Sequence, residues 1–280
     1  MTAIYRILIS IVLCLFCGSH TVFAQSGKLQ AIEDELISIQ DTVSRVWNHI
    51  HNSQYEDDTI YSRYSDMMEQ LCKQFESMLS RMLAEDKEMT YPFSKLQSDG
   101  LLGTSIVRSA DSSLRVFSWM LPGGTLHVYG NTIQYKTGKQ HAEIFSFSNE
   151  YNDLDYAENT GYEYDRVYTL IENDKTIYIL SGMTLYSTRI AGCRLIAFGV
   201  ENGKLVPENI FENRSNFTNE VSVNYEIGSN ADSEPFLRPT IDENEKTLSL
   251  PLTESNCLTG KYLKYIFDKG KFRIASDERY

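Results

Sequence analysis

The densest run of chemically able side chains lies between Glu150 and Asp165. It reads Glu-Tyr-Asn-Asp-Leu-Asp-Tyr-Ala-Glu-Asn-Thr-Gly-Tyr-Glu-Tyr-Asp. Asp153 and Asp155 open it like the oxygen-rich loop that takes a calcium ion, which makes them the metal candidates of this chain. Ala157 then stands where a ligand belongs and Gly161 comes three places late, so the EF-hand pattern is not completed. Tyrosines offer a flat apolar face with a polar tip, suited to a sugar ring or a protein partner. Tyr151, Asp153, Asp155, Tyr156, Tyr162 and Tyr164 are therefore the expected ligand or partner surface. The plainer alternative is a solvated loop whose tyrosines tuck against a sheet.

Other chemistries leave fainter traces. The nucleophile elbow Gly-x-Ser-x-Gly, a phosphate-cradling glycine loop and the zinc motif His-Glu-x-x-His are all absent from the sequence. His49 and His51, two apart on a helix, point to different faces and read as surface residues at a helix end. His127 and His141 fall on neighbouring predicted strands that could bring them together, without a third ligand in view. Glycoside hydrolysis needs two facing carboxyls, and a chain with 38 Asp and Glu offers pairs too freely for any one to stand out. Trp47 and Trp119 read as core anchors, and Asn213-Arg-Ser and Asn216-Phe-Thr are formal glycosylation sequons.

The 280 residues carry a formal charge of −12, with a pI near 4.9 and no basic stretch. That balance argues against nucleic acid and anionic membrane surfaces as partners. At the start, Arg6 precedes an apolar run over residues 7–17, broken at Gly18, and Val22-Phe23-Ala24 then precedes Gln25. A positive start, a short apolar core and a small residue at the cut make residues 1–24 an expected signal peptide, cleaved near Ala24. The run is too short for the roughly 20 residues that span a bilayer. The expected location is periplasmic or secreted, without a transmembrane anchor once the segment is removed. Cys72, Cys193 and Cys257 then remain, either as free thiols or with Cys193 and Cys257 paired.

Two kinds of element must position whatever chemistry exists. Leu29, Ile32, Leu36, Ile39, Val43, Val46 and Ile50 recur at alternating spacings of three and four, the period of one apolar stripe on a helix. Asp58 can cap a second helix, whose stripe is Ile60, Tyr64, Met67, Leu71, Phe75, Met78 and Met82, widened by Tyr61, Met68, Leu79 and Leu83. Residues 25–92 are thus expected as an antiparallel helical hairpin. Its stripes pack on each other and on the following sheet, or else form a seam for oligomerisation. From residue 93 to 280 the chain reads as short strands. Strands are predicted at 113–120, 125–129, 132–136, 142–147, 166–171, 176–181, 194–199, 204–206, 221–227, 247–252, 262–267 and 271–274. Asn202-Gly203 and Lys269-Gly270 are hairpin turns, and Gly130-Asn131 is read as another turn. With no helical crossovers the sheet must be mainly antiparallel. The predicted class is α+β, a helical hairpin followed by a β meander that is strongly bent, sandwich-like or a partial propeller.

The stretch from Ser109 to Trp119, followed by Gly123 to Lys136, resembles a segment of a family of small exported β-rich proteins of unassigned function from Gram-negative gut-type bacteria. The resemblance implies a similar β-rich fold and nothing about chemistry. Two functions follow as expectations. One is an exported, non-enzymatic binding or envelope-associated protein with a protein or glycan partner and no cofactor. The alternative is an exported hydrolase that attacks polysaccharide or peptide through a carboxylate pair.

Overall fold

In the computed structural model, the structure describes residues 26–50, 58–97, 100–122, 127–138, 141–147, 161–214, 216–227 and 238–275. Helix α1 covers 26–50 and α2 covers Asp58–Glu85, with side chains described from residue 62. Lys28, early in α1, pairs with Glu85 at the end of α2 at 2.9 Å, and His49 packs edge-on against Tyr64. The two helices therefore run antiparallel. The α1 stripe is buried as its spacing requires, but α2 is rotated slightly from the expected face. Met67 is 41% exposed, while Met68 joins Phe75, Leu79 and Leu83 inside. The predicted signal segment and Ile60 and Tyr61 lie outside the described side chains. No described helix is long and apolar enough to cross a membrane.

The first sheet is a meander of β1 (Thr104–Arg108), β2 (Leu114–Leu121), β3 (Val128–Gly138) and β4 (His141–Ser146). The second is built on β5 (Glu163–Glu172), β6 (Lys175–Leu185), β7 (Ile190–Glu201) and β8 (Lys204–Pro207). After β9 (Phe211–Asn213) and β10 (Asn216–Thr218), β11 (Glu220–Glu226) returns to pair with β7. The third sheet joins β9 and β10 to β12 (Thr240–Asp242), β13 (Thr247–Glu254), β14 (Cys257–Asp268) and β15 (Lys271–Ile274). Every pairing among the described strands is antiparallel except the contact of β15 with β9, so the mainly antiparallel α+β class holds. Asn202-Gly203 and Lys269-Gly270 do turn with positive φ at both residues, which matches the right-handed twist of the strands they join.

The layers stack in one order: helices, first sheet, second sheet, third sheet. Strand alternation produces this. Phe117, Trp119 and Leu121 of β2 meet the helices, while Leu114 and Val116 of the same strand meet the second sheet. Tyr178 and Leu180 of β6 face the first sheet, and Ile177 and Ile179 face the third. The strands β6 and β7 are thus covered on both sides, which explains their nearly unbroken apolar runs. This is the sandwich-like arrangement, with β1 drawn alongside β5 where the first two sheets converge. The hairpin stripes belong to the same core as the first sheet, so they are used within the chain.

A buried polar seam locks the hairpin to that sheet. Arg115 of β2 has no exposed surface and donates to the Asp86 carboxylate at 2.6 Å, to Gln134 Oε1 at 2.6 Å and to the Tyr91 carbonyl at 3.0 Å. Burial pushes its guanidinium down to about 10, against the pull of Asp86. Gln134 in turn donates to the Leu83 and Asp86 carbonyls, capping the end of α2. Glu33 of α1, also buried, accepts from Tyr91 Oη and from the amides of Lys95 and Leu96. Every member of this seam is satisfied, as a polar group inside a core must be.

Candidate functional site

The place where chemistry and geometry converge is the junction of β2 and β3 with the start of β5. One edge of β5 pairs with β6, and the backbone on its other edge turns toward the first sheet. That edge is met by side chains. Asn131 donates from Nδ2 to the Tyr162 carbonyl at 2.7 Å and accepts from the Tyr162 amide at 3.2 Å, so its amide group stands in for a neighbouring strand. Ser118 Oγ accepts from the Tyr164 amide and from Asn131 Nδ2, both at 3.0 Å. Ser105 Oγ donates, at a long 3.5 Å, to the Tyr164 carbonyl. At Gly161 φ is 37°, and a Cβ there would strike the Tyr129 carbonyl, so only glycine lets β5 begin this close to β3.

Gly130 and Asn131 do not form the turn expected of them. Gly130-Asn131 resembles a turn, yet β3 runs through it unbroken, Trp119 pairing with Gly130 and Ser118 with Asn131. The glycine is there for packing, since a Cβ on Gly130 would collide with the Trp119 ring. Composition favours turns at Gly-Asn. Only the opposite strand tells whether the pair bends or makes room.

The clamp opens onto a cleft of about 430 Å³, lined among others by Thr104, Ser105, Ser118, Tyr129 and Glu163. Glu163 stands exposed at its edge, one residue from each clamped tyrosine. Tyr129 Oη lies 3.5 Å from Glu163 Oε2 and 3.4 Å from His127 Nδ1. Burial, reinforced by the Glu163 charge, pushes the Tyr129 phenol well above its usual range, so it stays protonated and can donate. Ser118 Oγ already accepts two hydrogen bonds, which leaves its own proton to give. Neither serine has an imidazole or carboxylate bonded to its hydroxyl among the described residues, so neither is activated as a nucleophile. Among the described residues Glu163 is the one carboxylate lining the cleft, where glycoside hydrolysis needs two. The arrangement is equipped to hold a polar ligand.

A second, wider basin of about 820 Å³ lies beside Asp111 and the turn at Asn173 and Asp174. Its Asp111 and Lys175 are spent internally. Burial raises the Asp111 carboxyl, but hydrogen bonds from Ser109 Oγ, the Ser113 amide and Tyr178 Oη together bring it below its usual value. Lys175 is shared between Glu201 at 2.8 Å and Glu208 at 2.6 Å.

Of the expected surface residues, Tyr151, Asp153, Asp155 and Tyr156 lie outside the described residues. Tyr162 and Tyr164 are described, and they point inward instead of forming a face for a partner. Both belong to the core between the first two sheets, Tyr164 over Gly182 and Tyr162 Oη 2.8 Å from Tyr186 Oη. The bulge between Tyr164 and Arg166 keeps Tyr162, Tyr164 and Val167 on that one face. Burial pushes both phenols up, that of Tyr164 to about 12. The residue between them, Glu163, is the one that strand alternation turns outward.

The two strand histidines do not meet. His141 sits opposite Gly138 at one end of β3 and His127 precedes the other end, so about ten strand residues, roughly 30 Å, separate them. No group of three potential metal ligands occurs among the described residues. Cys72, Cys193 and Cys257 are unpaired thiols, and Trp47 and Trp119 sit in or against the helical core. No family model, no curated protein and no solved structure matches the chain, so the cleft is read from its own geometry.

Proposed function

We propose that this chain is an exported, non-enzymatic binding protein that holds a small polar ligand of sugar size in the cleft between β2, β3 and the start of β5. The observation that carries this reading is convergence. A donor hydroxyl on Ser118, a protonated phenol on Tyr129 and the Glu163 carboxylate face one cleft, and the clamp of Asn131 and Ser118 on β5 fixes them relative to one another. A volume of about 430 Å³ falls within the roughly 300–1,000 Å³ of small-ligand sites. Export rests on the segment before Gln25. Among the described residues lining the cleft, the hydrolase alternative finds one carboxylate where it needs two.

The test has two parts. Mass spectrometry of the chain recovered from an extracytoplasmic fraction should give a mature start at Gln25, and a retained Met1 would refute export. A thermal-shift screen against mono- and disaccharides should raise the melting temperature, since a ligand at about 100 times its Kd adds roughly 2.7 kcal/mol to the folded state. S105F, which fills the cleft from β1, should abolish the rise. A rise that survives S105F, or none with any sugar, refutes the cleft.

A further inference from the structure

We infer that the cleft is built for a cationic ligand, one that carries a protonated primary amine beside hydroxyl groups, as amino sugars and amino alcohols do. The inference rests on the binding reading above and adds the charge of what is bound.

Glu163 is the deciding group. Among the described residues it makes no ion pair, and the hydrogen bond to it from Tyr129 is a long 3.5 Å. A carboxylate has about four acceptor positions, so most of its capacity remains open toward the cleft. An ammonium group supplies three donors and the opposite charge at once. A neutral ligand seated there would strip water from the carboxylate and return only hydrogen bonds, while an anion would be repelled. The charge of the whole chain, −12, favours the same sign of ligand at a distance.

The remaining lining argues for hydroxyls on that ligand. Ser118 is 1% exposed and both its acceptor positions are taken, by Asn131 Nδ2 and the Tyr164 amide, so its proton is the group it can offer. Ser105 Oγ, opposite Ser118 on the same face, donates to the Tyr164 carbonyl and keeps its acceptor side. A donor, an acceptor and a carboxylate in one cleft suit a ligand that alternates hydroxyl groups with an amine. An apolar amine would leave the buried Ser118 proton unpaired.

Isothermal titration of the exported chain with glucosamine, glucose and N-acetylglucosamine at pH 6, where a primary amine is protonated, tests this. Glucosamine should bind about tenfold or more tighter than either neutral sugar, a difference of about 1.4 kcal/mol. E163Q, a change at an exposed position that keeps shape and removes the charge, should bring glucosamine down to the affinity of the neutral sugars. Raising salt should weaken glucosamine alone, an independent reading of charge. Equal affinity for all three sugars, or an advantage that survives E163Q, overturns the charge inference and leaves the cleft reading standing. Binding of none of the three overturns both.

Discussion

Replacing Asn131 by aspartate changes no heavy-atom count, so the volume of the site is unchanged and any effect is electrostatic. In the native chain Asn131 is 3% exposed and makes three hydrogen bonds. In N131D the introduced carboxylate still accepts from the Tyr162 amide, and Ser118 can rotate to donate to it. The donor to the Tyr162 carbonyl is lost, and a negative oxygen faces that carbonyl across what was a 2.7 Å hydrogen bond. An unpaired buried carbonyl costs about 1–3 kcal/mol, and a buried charge without a counter-ion costs more. A loss of about 3–5 kcal/mol at pH 7 is expected, a large share of the roughly 5–15 kcal/mol typical of a folded domain. The new carboxyl should respond by titrating above its unfolded pKa of about 3.9. Its protonated form can donate to the Tyr162 carbonyl. The penalty should therefore be small below that unfolded value and grow as pH rises through the raised folded pKa. Urea unfolding of wild type and N131D at pH 7 and pH 4.5 measures the gap. Amide exchange at Tyr162 and Tyr164 locates it. A difference under about 1 kcal/mol at pH 7, or unchanged protection at Tyr162, would refute the clamp.

Two further expectations concern the core and the thiols. D86A leaves the Arg115 guanidinium without its counter-ion and the Thr90 and Tyr91 amides without their acceptor, so it should cost about 3–5 kcal/mol by urea unfolding. Part of that loss should return in D86L/R115M, because removing both charges leaves none buried alone; equal losses in the two variants would count against the ion pair as the lock. Among Cys72, Cys193 and Cys257, a thiol reagent at pH 8 should label exposed Cys257 quickly. Cys72 and Cys193, both pushed up to about 12 chiefly by burial, should react only on unfolding. Recovery of a Cys193–Cys257 peptide under non-reducing conditions would contradict the unpaired state.

Much of the architecture was legible along the chain because it depends on neighbours in sequence. The three-four spacing from Leu29 to Ile50 can bury one face only as a helix, and Asn202-Gly203 favours positive φ whatever surrounds it. The absence of crossover helices was enough to predict antiparallel pairing. The site was not legible, because its residues owe their roles to partners far away in the chain. Tyr162 and Tyr164 carry the same side chain as an exposed aromatic would, and only the pairing of β5 with β6 and a bulge at residue 165 turn both inward and Glu163 out. Gly130 and Asn131 have turn composition, yet one makes room for a tryptophan from β2 and the other replaces a strand for a segment 31 residues on. Local sterics decide which elements a sequence can form. Which face of an element is buried, and which polar group it leaves open, is decided by the sheet stacked against it.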